Sequence, residues 1–163
     1  MSSSFRIDKL MDHAGDVLNA LGKLATTVTL VGVPEDKTGR DNGEAINNAT
    51  LGYIHENGSD RAHIPARPFL KPGVEKAKGD IDSHLRAASK AASNGDINNM
   101  DREFNKVGQV AVNSIRGMFM PGNNNWPAVK PATQKAKGEE KTTTLVDTGQ
   151  LRKAITHVVE VAG

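Results

Sequence analysis

The chain has no cysteine among its 163 residues. That absence excludes a disulfide framework and a thiolate nucleophile, and it fits a protein that matures in a reducing cytoplasm. Aromatic residues make up only 4%, so a core has to be built from Leu, Ile, Val, Ala and Met. The hydrophobic share of 37% is low for a tightly packed domain but above what disorder would show. A core this thin is expected to gain burial through self-association. No apolar run approaches the roughly 20 residues that cross a bilayer. The opening Met1-Ser2-Ser3-Ser4-Phe5-Arg6 lacks the apolar stretch of a secretory leader. Charge of one sign is scarce as well: a net +2 argues against a protein whose main task is to grip DNA along its phosphates. Neither a glycine-rich phosphate loop nor a serine or cysteine triad signature is present.

What is there points to a single domain spanning residues 1–163. Ser4 can cap a helix starting near Phe5 or Arg6. Ile7, Leu10, Met11, Ala14, Val17, Leu18 and Leu21 recur at helical spacing as one core-facing stripe, and Gly22 is a plausible stop. Residues 24–33 are rich in β-branched side chains and predict a strand that ends at Pro34. In it Thr27, Thr29 and Val31 alternate with Val28 and Leu30, so one face is the more polar. Residues 35–44 form a charged loop. Ala45 to Glu56 is ambiguous, since Asn47 and Asn48 weaken a helix while Ile46, Ala49, Tyr53 and Glu56 share a helical face. Residues 73–93 and 97–118 carry helical periodicity, broken by Asn94-Gly95 and restarted by Asp96 as a cap. Residues 119–144 lose all periodicity, and a stretch of that length is functional or disordered in a compact domain. Leu151 to Val161 predicts a strand that pairs with the early one in an antiparallel sheet.

The stretch from Gly52 to Lys78 stands apart. Pro65 and Pro68 bracket Ala66 and Arg67, and Pro72 follows. Proline fixes its own φ and drives the preceding residue towards extended backbone, so residues 64–71 are expected to form a stiff arm. Pro72 suits the first turn of a following helix, where its missing N–H costs nothing. Phe69 and Leu70 place apolar weight just ahead of that helix.

These residues also carry a family likeness. Tyr53-Ile54-His55-Glu56-Asn57-Gly58, then Ile64-Pro65-Ala66-Arg67-Pro68-Phe69-Leu70-Lys71-Pro72, resembles the "hEfG…mPARPFLrP" pattern of tail-completion, or head–tail joining, proteins of tailed bacteriophages. Trp126-Pro127, Pro131-Ala132-Thr133 and Leu145-Val146-Asp147-Thr148-Gly149-Gln150-Leu151-Arg152 resemble the ending of the related virion-morphogenesis proteins. Asn57, Val129 and Ala154 stand where an aromatic, a leucine and a serine are usual. Helix for residues 45–56 follows from this resemblance. It also implies a structural protein of the phage neck, made in the host cytoplasm and carried in the virion, that forms a ring of six subunits around the DNA channel. Its partners would be adjacent connector and tail proteins, and DNA would pass without being read.

Within that frame Arg67, Pro68, Phe69, Leu70, Trp126 and Lys130 are the candidate subunit or partner contacts, because aromatic residues and arginine concentrate at interface centres. Arg67 could pair with a carboxylate of a neighbouring subunit, a geometry that suits its planar fork. Lys130, Lys135, Lys137 and Lys141 are interleaved with Glu139 and Glu140, so they form no strong single-sign patch, yet a lysine-bearing loop lining a ring could face DNA.

Two chemical signals are set aside. His55-Glu56 with His63 lacks the second histidine one helical turn away that a zinc-protease motif needs, since position 59 is Ser59. Leu145-Val146-Asp147-Thr148-Gly149 matches a retroviral-type aspartic protease segment, but that fold builds a flap and strands from a long stretch beyond its aspartate. Asp147, Thr148 and Gly149 instead predict a structural turn that caps a short helix. No catalytic, metal or cofactor site is expected. The fold expected is α+β, a small antiparallel β-sheet packed against several α-helices with long extended loops. The alternative function is a small oligomeric DNA-binding accessory protein.

Overall fold

The computed structural model describes residues 2–34, 39, 46–120, 122–126 and 149–162, with side chains from Asp12 onward. The α+β architecture is as expected: six helices and a two-stranded antiparallel sheet among these residues. The elements are α1 (Ser2–Thr26), β1 (Thr27–Gly32), α2 (Asn48–Asn57), α3 (Leu70–Lys76), α4 (Lys78–Ser93), α5 (Ile97–Gly117), α6 (Gln150–Ala154) and β2 (Thr156–Val161). They divide into two compact units, each assembled from separated stretches of chain.

The first unit takes residues 1–30, 78–110 and 158–163. In it α1 lies against α4. Its interior is made of small residues, Ala20, Ala88, Ala91 and Ala92, with Met100 and Phe104 as the bulky members. Alanine lets helix backbones come close, but it supplies little apolar area per residue. Asp96 caps α5 as expected, accepting from the Asn99 N–H at 2.9 Å. Gly95 makes the preceding turn at φ 71°, and a Cβ there would come within 3.0 Å of the Asp16 side chain. Glu103 on α5 is buried and bonded to His84 Nδ1 at 2.7 Å and Lys106 Nζ at 2.6 Å.

Helix α1 does not stop at Gly22. It runs on to Thr26, where the Thr26 and Thr27 hydroxyls donate back to Lys23 O and the chain passes straight into β1. Its stripe also divides. Ala20 is buried and Val17 and Leu24 half-buried, but Leu18 is 71% exposed and Leu21 39%. The apolar arc of α1 is wider than its contact with the rest of the unit, so not all of it faces the core. In β1 the threonine face is the one turned inward. Thr27 is buried and Thr29 donates to Phe104 O, while Val28 and Leu30 are exposed.

The second unit takes residues 31–77 and 111–157. Phe69, Val112, Ile115, Met118, Phe119, Leu151 and Ile155 form its core, with Leu51, Leu70 and Trp126 packed against them. Gly73 in α3 sits so close to α5 that a Cβ would lie 2.6 Å from Ile115 Cα. The helix expected over residues 73–93 is two helices: α3 starts earlier, at Leu70, and Ala77, at φ −90° and ψ 0°, is its C-cap before α4 begins at Lys78. Pro72 falls in the first turn of α3, as expected. The strand expected from Leu151 begins only at Thr156. Gln150–Ala154 is a helical turn that buries Leu151 and Ala154 at i, i+3, a spacing that alternation cannot serve.

Candidate functional site

The stretch that carries the family likeness folds into one knot within the second unit. Helix α2 is capped by Asn47, whose side chain accepts from the Thr50 N–H at 2.8 Å. It ends at Gly58, φ 77°, whose N–H bonds to Ile54 O. A tight turn through Asp60 and His63 follows, closed by the reciprocal Ser59–Ile64 backbone pair at 2.9 Å each. The proline arm then lies back along the end of α2, with the Arg67 N–H donating to His55 O at 2.7 Å. Gly58 makes this return possible. A Cβ there would sit 2.9 Å from the Ala66 nitrogen, and its φ is strained for other residues.

Glu56 fastens the arm. Its Oε2 accepts from the N–H groups of Phe69 at 2.7 Å and Leu70 at 2.8 Å, and its Oε1 from that of Lys71 at 3.0 Å. Those are amides at the start of α3, whose N-cap residue Phe69 supplies no side-chain acceptor. A carboxylate from α2 thus does the work of a cap, with charge and helix dipole in agreement.

Trp126 closes the other side. Its Nε1–H donates to Pro68 O at 2.9 Å. The Phe119 ring stands between Phe69 and Trp126, with centroids 5.0 Å from the first and 5.6 Å from the second, the latter edge-on at 84°. Three of the chain's few aromatic rings are therefore stacked at one place. Asn124 donates to Met118 O, holding the turn that brings Trp126 into position.

These positions correct the expected contact set. Phe69 is fully buried in the core of its own unit, so its ring has no surface to offer a partner. Arg67 is buried too, and desolvation lowers its guanidinium pKa from the usual range. It is not presented outward to pair with another subunit. Leu70 and Trp126 are half-buried and already packed on the core. Pro68 is half-buried. Lys130, Asp147 and Thr148 lie outside the described residues, while Gly149, at φ 72°, is the N-cap of α6. Glu56 and Phe119 were not among the candidates. The signal for Glu56 was available: no Ser, Thr, Asp or Asn precedes the helix after Pro68, so its first amides needed an acceptor from elsewhere.

Beside the knot is an open pocket of about 480 Å³, lined by Ala66, Pro68, Pro72, Met118, Asn124 and Trp126 among others. None of its described lining residues ionises. It offers proline rings, carboxamides and an indole edge. Among the described residues no cluster of His, Asp or Glu could hold a metal ion, and no helix is long and apolar enough to cross a membrane. No family model, curated protein or solved structure matches the chain.

Proposed function

We propose that the protein is a structural component of the neck of a tailed bacteriophage. In this reading it completes the tail or joins it to the head by forming a ring around the DNA channel, beside connector and tail proteins. It is assembled in the host cytoplasm, and it is not an enzyme. One observation carries the proposal. The described residues of the two stretches behind the family resemblance meet: Trp126 bonds to Pro68, and Leu151 packs in one core with Phe69.

The contact surface differs from that expected from sequence. The buried Phe69 and Arg67 set the shape of the arm from within. The groups left for a partner are its outer residues, exposed Pro65, Ala66 and Lys71, and the pocket beside Trp126. A stiff proline arm loses little conformational freedom on docking, which favours association.

The test is the solution mass of the purified protein over a range of concentrations, with electron microscopy of the same samples. Closed rings, or a mass rising towards one, are expected. Titration with duplex DNA completes it. Tight binding by a small species, falling steeply with salt, would overturn the neck reading in favour of a DNA-binding accessory protein.

A further inference from the structure

Helix α5 ties up its carboxylates and leaves its donors outside. Asp101 is held by Lys23, and Glu103 by His84 and Lys106. Asn98, Arg102, Asn105, Gln109, Asn113 and Arg116 follow one another at steps of four, three, four, four and three, which makes them one stripe along a single helix. The stripe lies opposite the buried Met100, Phe104, Val107 and Ala111. Its first five members are exposed. Every member carries N–H donors and none carries a carboxylate. Asn105 turns its amide back to Asp101 O, and Arg116 gives Nη2 to Lys153 O and Ile155 O. Asn98, Arg102, Gln109 and Asn113 have no hydrogen-bond or ion-pair partner among the described residues. The exposed face of α4 differs: there Lys78, Arg86 and Lys90 are mixed with Asp80, the pattern of a solvated helix.

We infer that the outward stripe of α5 is the surface this protein turns to duplex DNA, donating to phosphate oxygens without reading the bases. Duplex DNA presents an unbroken line of anionic acceptors, and Arg, Asn and Gln are among the side chains that donate to them. The stripe runs about 27 Å at 1.5 Å per residue, and no carboxylate on it repels a polyanion. An acidic protein segment is the poorer fit, since carboxylates are matched by paired cations. Here only Arg102 and Arg116 of the six carry charge.

Two cations set the strength. Counterion release gives a salt slope of about −0.9 per neutralised phosphate, so about −2 for this stripe. Contact is therefore weak and shallow in salt. That agrees with the net charge of +2, and a wall of neutral donors with few cations lets DNA pass without gripping it. The inference rests on the neck reading for its setting, the wall of the channel, while the contact itself is tested without it.

The probe is a labelled duplex, titrated with the full chain and with any rings it forms, and followed by fluorescence anisotropy. Between about 50 and 200 mM salt the affinity should fall by about tenfold. Asn98→Asp with Gln109→Glu sets carboxylates at two exposed positions of the same shape, and should lower the affinity at the lower salt by about tenfold or more. Ser83→Asp with Ser89→Asp adds the same charge to the exposed face of α4 and should change it by less than about threefold. Arg102→Gln should reduce the salt slope by about one. Helical circular dichroism should stay unchanged in all of them. No binding at the lower salt, equal effects of the two acidic pairs, or tighter binding of polyglutamate than of the duplex would overturn the inference. A tenfold preference between duplexes of different sequence would overturn the backbone contact. Rings whose affinity ignores these changes would sink this inference and leave the neck reading. Stripe-dependent binding without rings would do the reverse.

Discussion

The indole of Trp126 donates to the carbonyl oxygen of Pro68, fifty-eight residues earlier in the chain. Since this is the protein's sole tryptophan, its emission reports on the seating of the proline arm. Trp126→Phe keeps the edge contact with Phe119 but removes the donor and leaves the Pro68 oxygen without it. A loss of about 1 kcal/mol is expected, measured by chemical denaturation followed by circular dichroism.

Phe69→Ala empties the centre of the second unit's core. The expected cost is about 3–5 kcal/mol, with a red shift of Trp126 emission as the aromatic stack loosens. If Phe69 were a partner contact, the isolated chain would keep its stability and only assembly would suffer.

The carboxylate of Glu56 serves three amides, so its two substitutions should separate. Glu56→Ala strands those donors, at a cost of roughly 2–3 kcal/mol. Glu56→Gln retains one acceptor oxygen and should cost about half as much. Both are read from denaturant midpoints, and hydrogen exchange at Phe69, Leu70 and Lys71 should speed up more in the alanine variant.

Two helical glycines should respond with opposite signs. Gly73→Ala pushes a methyl against the Ile115 backbone, 2.6 Å away, and should cost about 1–3 kcal/mol or more. Gly22→Ala meets nothing within 4 Å and should stabilise the single chain by up to about 1 kcal/mol. Thermal melts at low protein concentration compare them.

Hydrogen bonds from Lys106 and then His84 hold the Glu103 carboxyl below its ordinary value of 4.5, against the opposing effect of its burial. The folded state thus binds the Glu103 proton less readily than the unfolded state. The resulting stability is present above the ordinary carboxylate range and is lost as pH falls through the lower folded value. Glu103→Gln should flatten the decline in melting temperature below about pH 4.5 and lower the plateau above it.

Local rules carried much of the fold. The periodicity of α5 and the Asp96 cap each rest on one short window of sequence, and each appears where that window puts it. What failed to show depended on distant partners. The division of the α1 stripe is decided by how much of the helix α4 can cover. The break at Ala77 and the late start of β2 follow from burial of Gly73, Leu151 and Ala154 in the second unit. In the site, the arm and the aromatic residues were legible as unusual, but not as inward-facing. Phe69 and Arg67 look like contact residues because interfaces and cores draw on the same side chains. The acceptor role of Glu56 joins residues thirteen to fifteen positions apart, beyond any local pattern.

The inward threonines of β1 have a consequence for how the chain reaches this state. Sliding the strand by one residue would bring Val28 and Leu30 inside and turn Thr27 and Thr29 to water. Hydrophobicity alone favours that slipped pairing. The native one is held by two hydroxyl bonds, Thr27 to Lys23 O and Thr29 to Phe104 O, and by the Ala162 amide on Thr26 O. All three need α1 or α5 already in place or the last residues of β2 already delivered. The register of β1 therefore depends on its contacts with α1, α5 and the end of β2 rather than on its own apolar pattern.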